Sequence, residues 1–170
     1  AFDIVVEGKG GHAAWPQNTI DPVMISAQLI LALHTIVSRN VDPIQSAVLS
    51  VTMMQGGEAF NIIPRSVKLT GTVRSLNDEV RDLMETRLRT VTEGIVETFG
   101  GKAEIDYRRG YPVTMNAEDQ AAYAASVAEQ VAGAERVDAS IDPKMGGEDF
   151  SYMLQARPGA YAFLGNGNSG

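Results

Sequence analysis

The chain has 170 residues, 44% apolar and 21% charged, with 14 Lys and Arg against 21 Asp and Glu for a net charge of −7. That suits one domain, or one small domain and part of another, and the acidic balance argues against a nucleic-acid partner, which needs clustered Lys and Arg. With no cysteine it makes neither disulfides nor thiolate metal sites; no apolar run reads as a membrane span and the start has no secretory layout, so no membrane partner and a cytoplasmic location are expected.

Phe2, Ile4 and Val6 alternate with Asp3 and Glu7, the period-two pattern of a half-buried strand. GKGGHAAWP, residues 8–16, follows as a glycine-rich turn holding one of only two histidines and the single tryptophan. Asp21 then suits an N-cap and Pro22 a first helical position. The helix they open is expected to run to about residue 38, with Ile25, Leu29, Ala32, Leu33 and Ile36 as its apolar stripe. Met24 and Leu31 fall on another face and hint at a second contact surface. Residues 46–54 read as a second strand, ending at Gly56-Gly57.

Val67, Leu69, Gly71 and Val73 alternate with Lys68, Thr70, Thr72 and Arg74 as a third strand. Ser75 or Asn77 caps the next helix, whose expected stripe is Val80, Met84, Leu88, Val91, Ile95 and Phe99, and Gly100-Gly101 ends it. Ala103, Ile105 and Tyr107 alternate with Glu104, Asp106 and Arg108 as strand four. The order β-α-β-β-α-β over residues 1–112 predicts an α+β, ferredoxin-like domain with an antiparallel sheet and both helices on one face. Its expected strand order, 4-1-3-2, leaves the strand at 46–54 on an edge.

A boundary is expected at 112–116. Asn116 caps an alanine-rich helix, Glu118–Ala132, which Gly133 closes. A short strand at 136–141, GGEDF at 146–150, a helix at 151–155 and a strand at 160–164 complete residues 113–170. These elements lack partners for an independent core and read as part of a second α/β domain. The opening directly on a strand and the ending GNGNSG give the layout of an interior piece of a longer protein.

Polar residues beside glycines mark three candidate places. His12 is either a donor to a developing oxyanion or proton shuttle, or a turn histidine satisfied by a nearby carbonyl. Asn61, in GGEAFNIIP, offers an amide to a substrate oxygen or bonds its own backbone. Arg74 either clamps a carboxylate or is a solvated strand residue. Gly147, Glu148 and Asp149 form a loop whose carboxylates suit acid–base or ligand duty, or favour the N-terminus of the following helix. His34, mid-helix, reads as a packing or surface residue. The turn after strand one and the link between strands two and three need not adjoin within one subunit.

Three stretches in order, GKGGHAAWPQNTIDPV, GGEAFNIIP followed by LTGTVRSL, and MGGEDFSYMLQARPGAYAFLG, resemble the metal-dependent aminoacylase/carboxypeptidase superfamily, in its amidohydrolase branch of hippurate hydrolases and indole-acetyl-amino-acid hydrolases. The resemblance implies an enzyme that cleaves N-acyl amino acids with two divalent metal ions (Zn, Mn, Co or Ni) in a catalytic α/β domain. A ferredoxin-like lid is inserted into that domain and forms a homodimer. By that likeness residues 1–112 are the lid and 113–170 the return to the catalytic domain. His12 matches the lid histidine that reaches the partner subunit's active site, Asn61 and Arg74 match substrate-binding positions, and Gly147 and Glu148 lie in a loop lining the cleft. The family's metal ligands and glutamate base precede the lid, and a last histidine ligand follows the segment; none is in this chain, so no metal and no catalysis are expected of it alone. The competing class is a dimeric ferredoxin-like regulatory module binding an amino acid or other small ligand.

Overall fold

In the computed structural model, which describes residues 1–167, the buried side chains of β1 (Phe2–Glu7) are those the alternation selects: Phe2, Ile4 and Val6. The chain then makes a two-residue strand β2 (Gly11–His12), helix α1 (Pro22–Asn40), β3 (Ala47–Gln55), a second two-residue strand β4 (Ile62–Ile63), β5 (Ser66–Ser75), α2 (Asp78–Thr98) and β6 (Lys102–Tyr107). β3, β5, β1 and β6 form, in that order, a four-stranded antiparallel sheet. This is the predicted 4-1-3-2 order read from the other side, with β3 on an edge. One cluster joins Phe2, Ile4, Val6, Leu49, Val67 and Leu69 of the sheet to Ile25, Leu29, Leu33 and Ile36 of α1 and Val80, Met84, Leu88 and Val96 of α2. Side chains from one face of β1 cannot meet two helices on opposite faces. Both helices therefore cover the same face, as the sequence predicted.

Local chemistry sets the helix ends. Asp21 Oδ1 accepts the backbone N–H groups of Val23 and Met24 at 2.8 and 3.3 Å, with Pro22 at the first helical position. Of the two proposed caps for α2 it is Asn77 that acts, its Oδ1 accepting Val80 N–H at 2.8 Å. At the other end Gly100 takes φ +77°; its N–H bonds to the Glu97 carbonyl and that of Gly101 to the Val96 carbonyl, a Schellman closure.

Two expectations for this unit are corrected. Phe99 is not in the α2 stripe: it is the exposed C-cap, and the 3.6-residue turn carries burial to Thr92 and Val96 instead. The reading that no apolar run approaches span length also fails, because α1 is long and apolar enough to cross a membrane by length and composition. Here its Ile25, Leu29, Leu33 and Ile36 stripe is packed in the core with the sheet.

The chain divides into two compact units, Ala1–Arg109 and Gly110–Gly170. The second contains α3 (Glu118–Ala132) and α4 (Phe150–Ala156). Asn116 does not cap α3: the N-cap is Ala117, without a side-chain bond, and Asn116 is spent on Tyr161. Its amide donates to the Tyr161 carbonyl at 2.9 Å and its Oδ1 accepts the Tyr161 N–H at 2.8 Å, imitating one rung of a strand. Among the described residues that is the one such rung at 160–164, and no strand forms there. The expected strand at 136–141 is likewise absent; a 3-10 turn, Ala134–Arg136, leads into irregular chain. Both failures have one cause, since a strand needs a neighbour to receive its ladder. No residue of α3 is buried; Tyr123, Val127 and Val131 form an exposed i, i+4, i+8 stripe. The last three residues of the GNGNSG ending lie outside the described residues.

Asp21→Ala should cost about 1 kcal/mol, seen as a lower urea midpoint at unchanged slope, with Asp21→Ser retaining most of the stability. On the open face of the sheet Asp3 accepts from Thr70 and from Arg108, and pairs with Lys68 at 3.3 Å. The Thr70 hydroxyl first, then the two cations, hold its carboxyl down at about 2 against partial burial. A depressed carboxylate stabilises the fold above its unfolded range near 4 and loses that contribution as pH falls toward 2. The melting-temperature gap between the native chain and Asp3→Asn should accordingly be full above pH 4 and close on acidification toward pH 2; a gap constant across that range would contradict it.

Candidate functional site

The glycine-rich turn is stitched down at its base. Gly8 N–H bonds to the Arg65 carbonyl at 2.8 Å, and Lys9 and Ile20 exchange backbone bonds of 2.8 and 3.0 Å. A Cβ on Gly8 would stand 2.1 Å from the Ile20 carbonyl oxygen, and one on Gly10 2.8 Å from that of Ile63. Only glycine lets three stretches of backbone approach this closely. Past the glycines, Gly11 and His12 of β2 pair with Ile63 and Ile62 of β4, and Ala13 N–H bonds to the Asn61 carbonyl at 2.9 Å. His12 and Asn61, which the sequence left unconnected, thus share one small ribbon beyond the end of the main sheet.

On this ribbon His12 is exposed. Its Nδ1 accepts the Ala14 backbone N–H at 3.1 Å, so the neutral ring carries its proton on Nε2 and offers it outward. The Trp15 ring lies against it, with centroids 5.0 Å apart and planes at 45°. Asn61 is half-buried; its backbone carbonyl is the group engaged locally, by Ala13, and the side-chain amide has no hydrogen bond among the described residues. Each side chain carries an N–H of the kind that can donate to a carbonyl oxygen gaining negative charge.

Arg74 is not brought to them within one subunit. It pairs with Val48 near the far end of β5. At about 3.3 Å per residue it lies roughly 26 Å along that strand from Ser66, where the chain leaves the ribbon. Its guanidinium folds back on its own strand, donating to Thr72 Oγ1 and, at 2.9 Å, to the Val73 carbonyl.

The remaining candidates belong to the second unit. Neither glycine of Gly146-Gly147 is demanded by space: a Cβ on Gly146 meets nothing, and on Gly147 only Tyr111 at an ordinary 3.5 Å. The Glu148 carbonyl accepts the Ser151 N–H and hydroxyl, at 3.2 and 2.6 Å, opening α4. Asp149 is the N-cap position but makes no side-chain cap bond. Burial, then the charge of Glu148 and a hydrogen bond to it, push the Tyr161 phenol above its usual range; Tyr161 is a partner of Glu148 that sequence reasoning did not pick out. Its only sequence signal was an aromatic in a short apolar run. Among the described residues no three His, Asp or Glu side chains gather where they could hold a metal ion. The residues present do not fit the dinuclear centre that the resemblance implies, which would need ligands from elsewhere.

Comparison with known proteins agrees with the motifs. Residues 1–95 match the family model of the M20 peptidase dimerisation domain. The chain is 43% identical over 164 residues to an N-acetyl-L-cysteine deacetylase of Bacillus subtilis (strain 168), covering 96% of this chain and 39% of that protein. It is 38% identical over 168 residues to a hippurate hydrolase of Campylobacter jejuni, covering 99% and 44%. Among solved structures, a dinuclear metal-binding M20 peptidase from Bacillus subtilis superposes with a TM-score of 0.68 at 32% identity, over 93% of this chain and 38% of that one. The chain therefore spans about two fifths of the length of these relatives. It belongs to the M20 peptidase family, with the family's dimerisation domain at residues 1–95.

Proposed function

We propose that this segment is the lid and dimerisation part of a metal-dependent amidohydrolase that cleaves N-acyl amino acids, and that the lid lends His12 to the active site of a second subunit. The observation that carries this reading is the ribbon beyond the fold's own core that brings the backbone of His12 and Asn61 together, with His12 exposed and the Asn61 amide without a hydrogen bond among the described residues. The relatives' names, a deacetylase of an N-acetyl amino acid and a hydrolase of hippurate, support an amide carbonyl as the group addressed. In such a reaction His12 Nε2–H and the Asn61 amide stabilise the oxygen of the tetrahedral intermediate, and Arg74 binds the substrate carboxylate. The regulatory-module alternative would leave residues 110–167 without a role, whereas these relatives align over 96–99% of the chain.

The dimer reading rests on the free edge. β3 is an edge strand without Lys or Pro, and Val48, Met53 and Met54 on it are exposed, as are Met24 and Leu31 of the adjacent α1. A bulge between Val51 and Met53 interrupts its register with β5, leaving 47–51 as the regular stretch for pairing with a second copy. A two-fold that joins these edges reverses one strand relative to the other, so the Ala47 end of each lies beside the Gln55 end of its mate. Arg74 sits at the Ala47 end and the ribbon follows the Gln55 end. In that dimer, Arg74 of one subunit comes to the end of the sheet occupied by His12 and Asn61 of the other. This gives the three residues a common site that one subunit denies them.

Sedimentation of the chain at micromolar concentration should find a dimer, and Val51→Pro, which deletes a backbone donor or bends the edge, should yield a folded monomer; a monomeric native chain would overturn the dimer. In the full-length enzyme, His12→Ala should lower kcat on an N-acyl amino acid by about two to three orders of magnitude, and an unchanged kcat would reject the role given to His12.

A further inference from the structure

We propose that Trp15 is a positioning residue for His12, a role that rests on the reading of His12 given above. HAAW is a hydrogen-bonded turn: the Trp15 N–H donates to the His12 carbonyl at 3.0 Å, closing four residues and bringing the first and fourth side chains side by side. The two central residues are alanines, whose methyl groups leave the space between those rings to the rings themselves. Pro16 follows, restricting the backbone of Trp15, and the Trp15 carbonyl accepts the Asn18 N–H at 3.1 Å. The indole is thus anchored through its own main chain on both sides.

The imidazole, for its part, is held by two contacts of different kinds. Ala14 N–H grips Nδ1, which a half-turn of the ring would break, and the indole lies against the ring at 5.0 Å, which limits swinging about the side-chain bonds. Trp15 has no share in the core: it is 58% exposed and stands apart from the buried cluster. A large aromatic left half in solvent, on a turn that the core does not need, is accounted for by what it touches. Donors to a reacting oxygen work only when their rotamers are locked by packing and hydrogen bonds, and a displacement of about 1 Å costs up to about a hundredfold in rate. Trp15 supplies the packing half of that lock and Ala14 the hydrogen-bonding half.

With only two histidines in the chain, proton NMR gives His34 as an internal reference. At fixed pH, Trp15→Leu should move the His12 ring signals by removing the indole ring current and leave those of His34 in place. In the full-length enzyme, Trp15→Leu should lower kcat about tenfold with KM changed less than about twofold, and Trp15→Phe should restore kcat to within about threefold of native. Unchanged kcat in Trp15→Leu, with the His12 signals moved, would overturn the proposal by making the contact mere packing. A raised KM at native kcat would overturn it too, by assigning Trp15 to substrate contact. His12→Ala run in parallel separates the two levels: native kcat there removes the role of His12 itself, whereas a large loss there with an inert Trp15→Leu removes only the positioning role.

Discussion

The close approach of backbone at Gly8 and Gly10 is the constraint on which the candidate site depends. Because no side chain stands between them, the main chain leaving β1 lies directly on the carbonyls of Ile20 and Ile63. It bonds there to Arg65, Ile20 and, two residues on, to the chain beside Ile62. Three segments distant in sequence are tied at one point, and His12 emerges from that knot in a fixed position. The glycines therefore serve His12 by removing obstruction, while the turn after them, closed by Trp15 and Ala14, sets the direction of its ring.

The sheet that carries this ribbon has two unlike faces. One is sealed by α1 and α2 over a continuous apolar cluster. On the other, Asp3 of β1 gathers Thr70 and Lys68 of β5 and Arg108, just past β6. Such exposed pairs add little stability individually, but they tie neighbouring segments of the sheet together on that face. Exposed apolar side chains include Val48, Met53 and Met54 on β3, one of the two edge strands, and Met24 and Leu31 on α1.

The second unit follows different rules. Its helices bury almost nothing, and its aromatic contacts, Phe150 with Tyr161 and Tyr161 with Phe163, stand in for a core. Asn116 holds Tyr161 from the side with the pairing a neighbouring strand would give. The segment spans about two fifths of the length of its relatives, and at Tyr161 a side-chain amide takes the place of a strand neighbour.

Much of the first unit was legible in the residues because its signals are local or periodic. Alternation in Phe2, Ile4 and Val6, the helical stripe from Ile25 to Ile36, the caps at Asp21 and Asn77 and the glycine stop at Gly100 each act within a few residues, and all hold in the structure. The family motifs were legible for the same reason: each is a short run of consecutive residues. What the sequence could not decide were events between distant segments. The pairing of Gly11–His12 with Ile62–Ile63 spans about fifty residues and only two rungs, too short for any period to register. The strands expected at 136–141 and 160–164 had the right residues but no strand neighbour among the described residues, and a ladder is made by the neighbour. Residue pattern determined which segments could be helix or strand and which side chains were fit for chemistry; tertiary structure alone decided which backbone met which, and so set His12 beside Asn61 and left Arg74 at the far end of its strand.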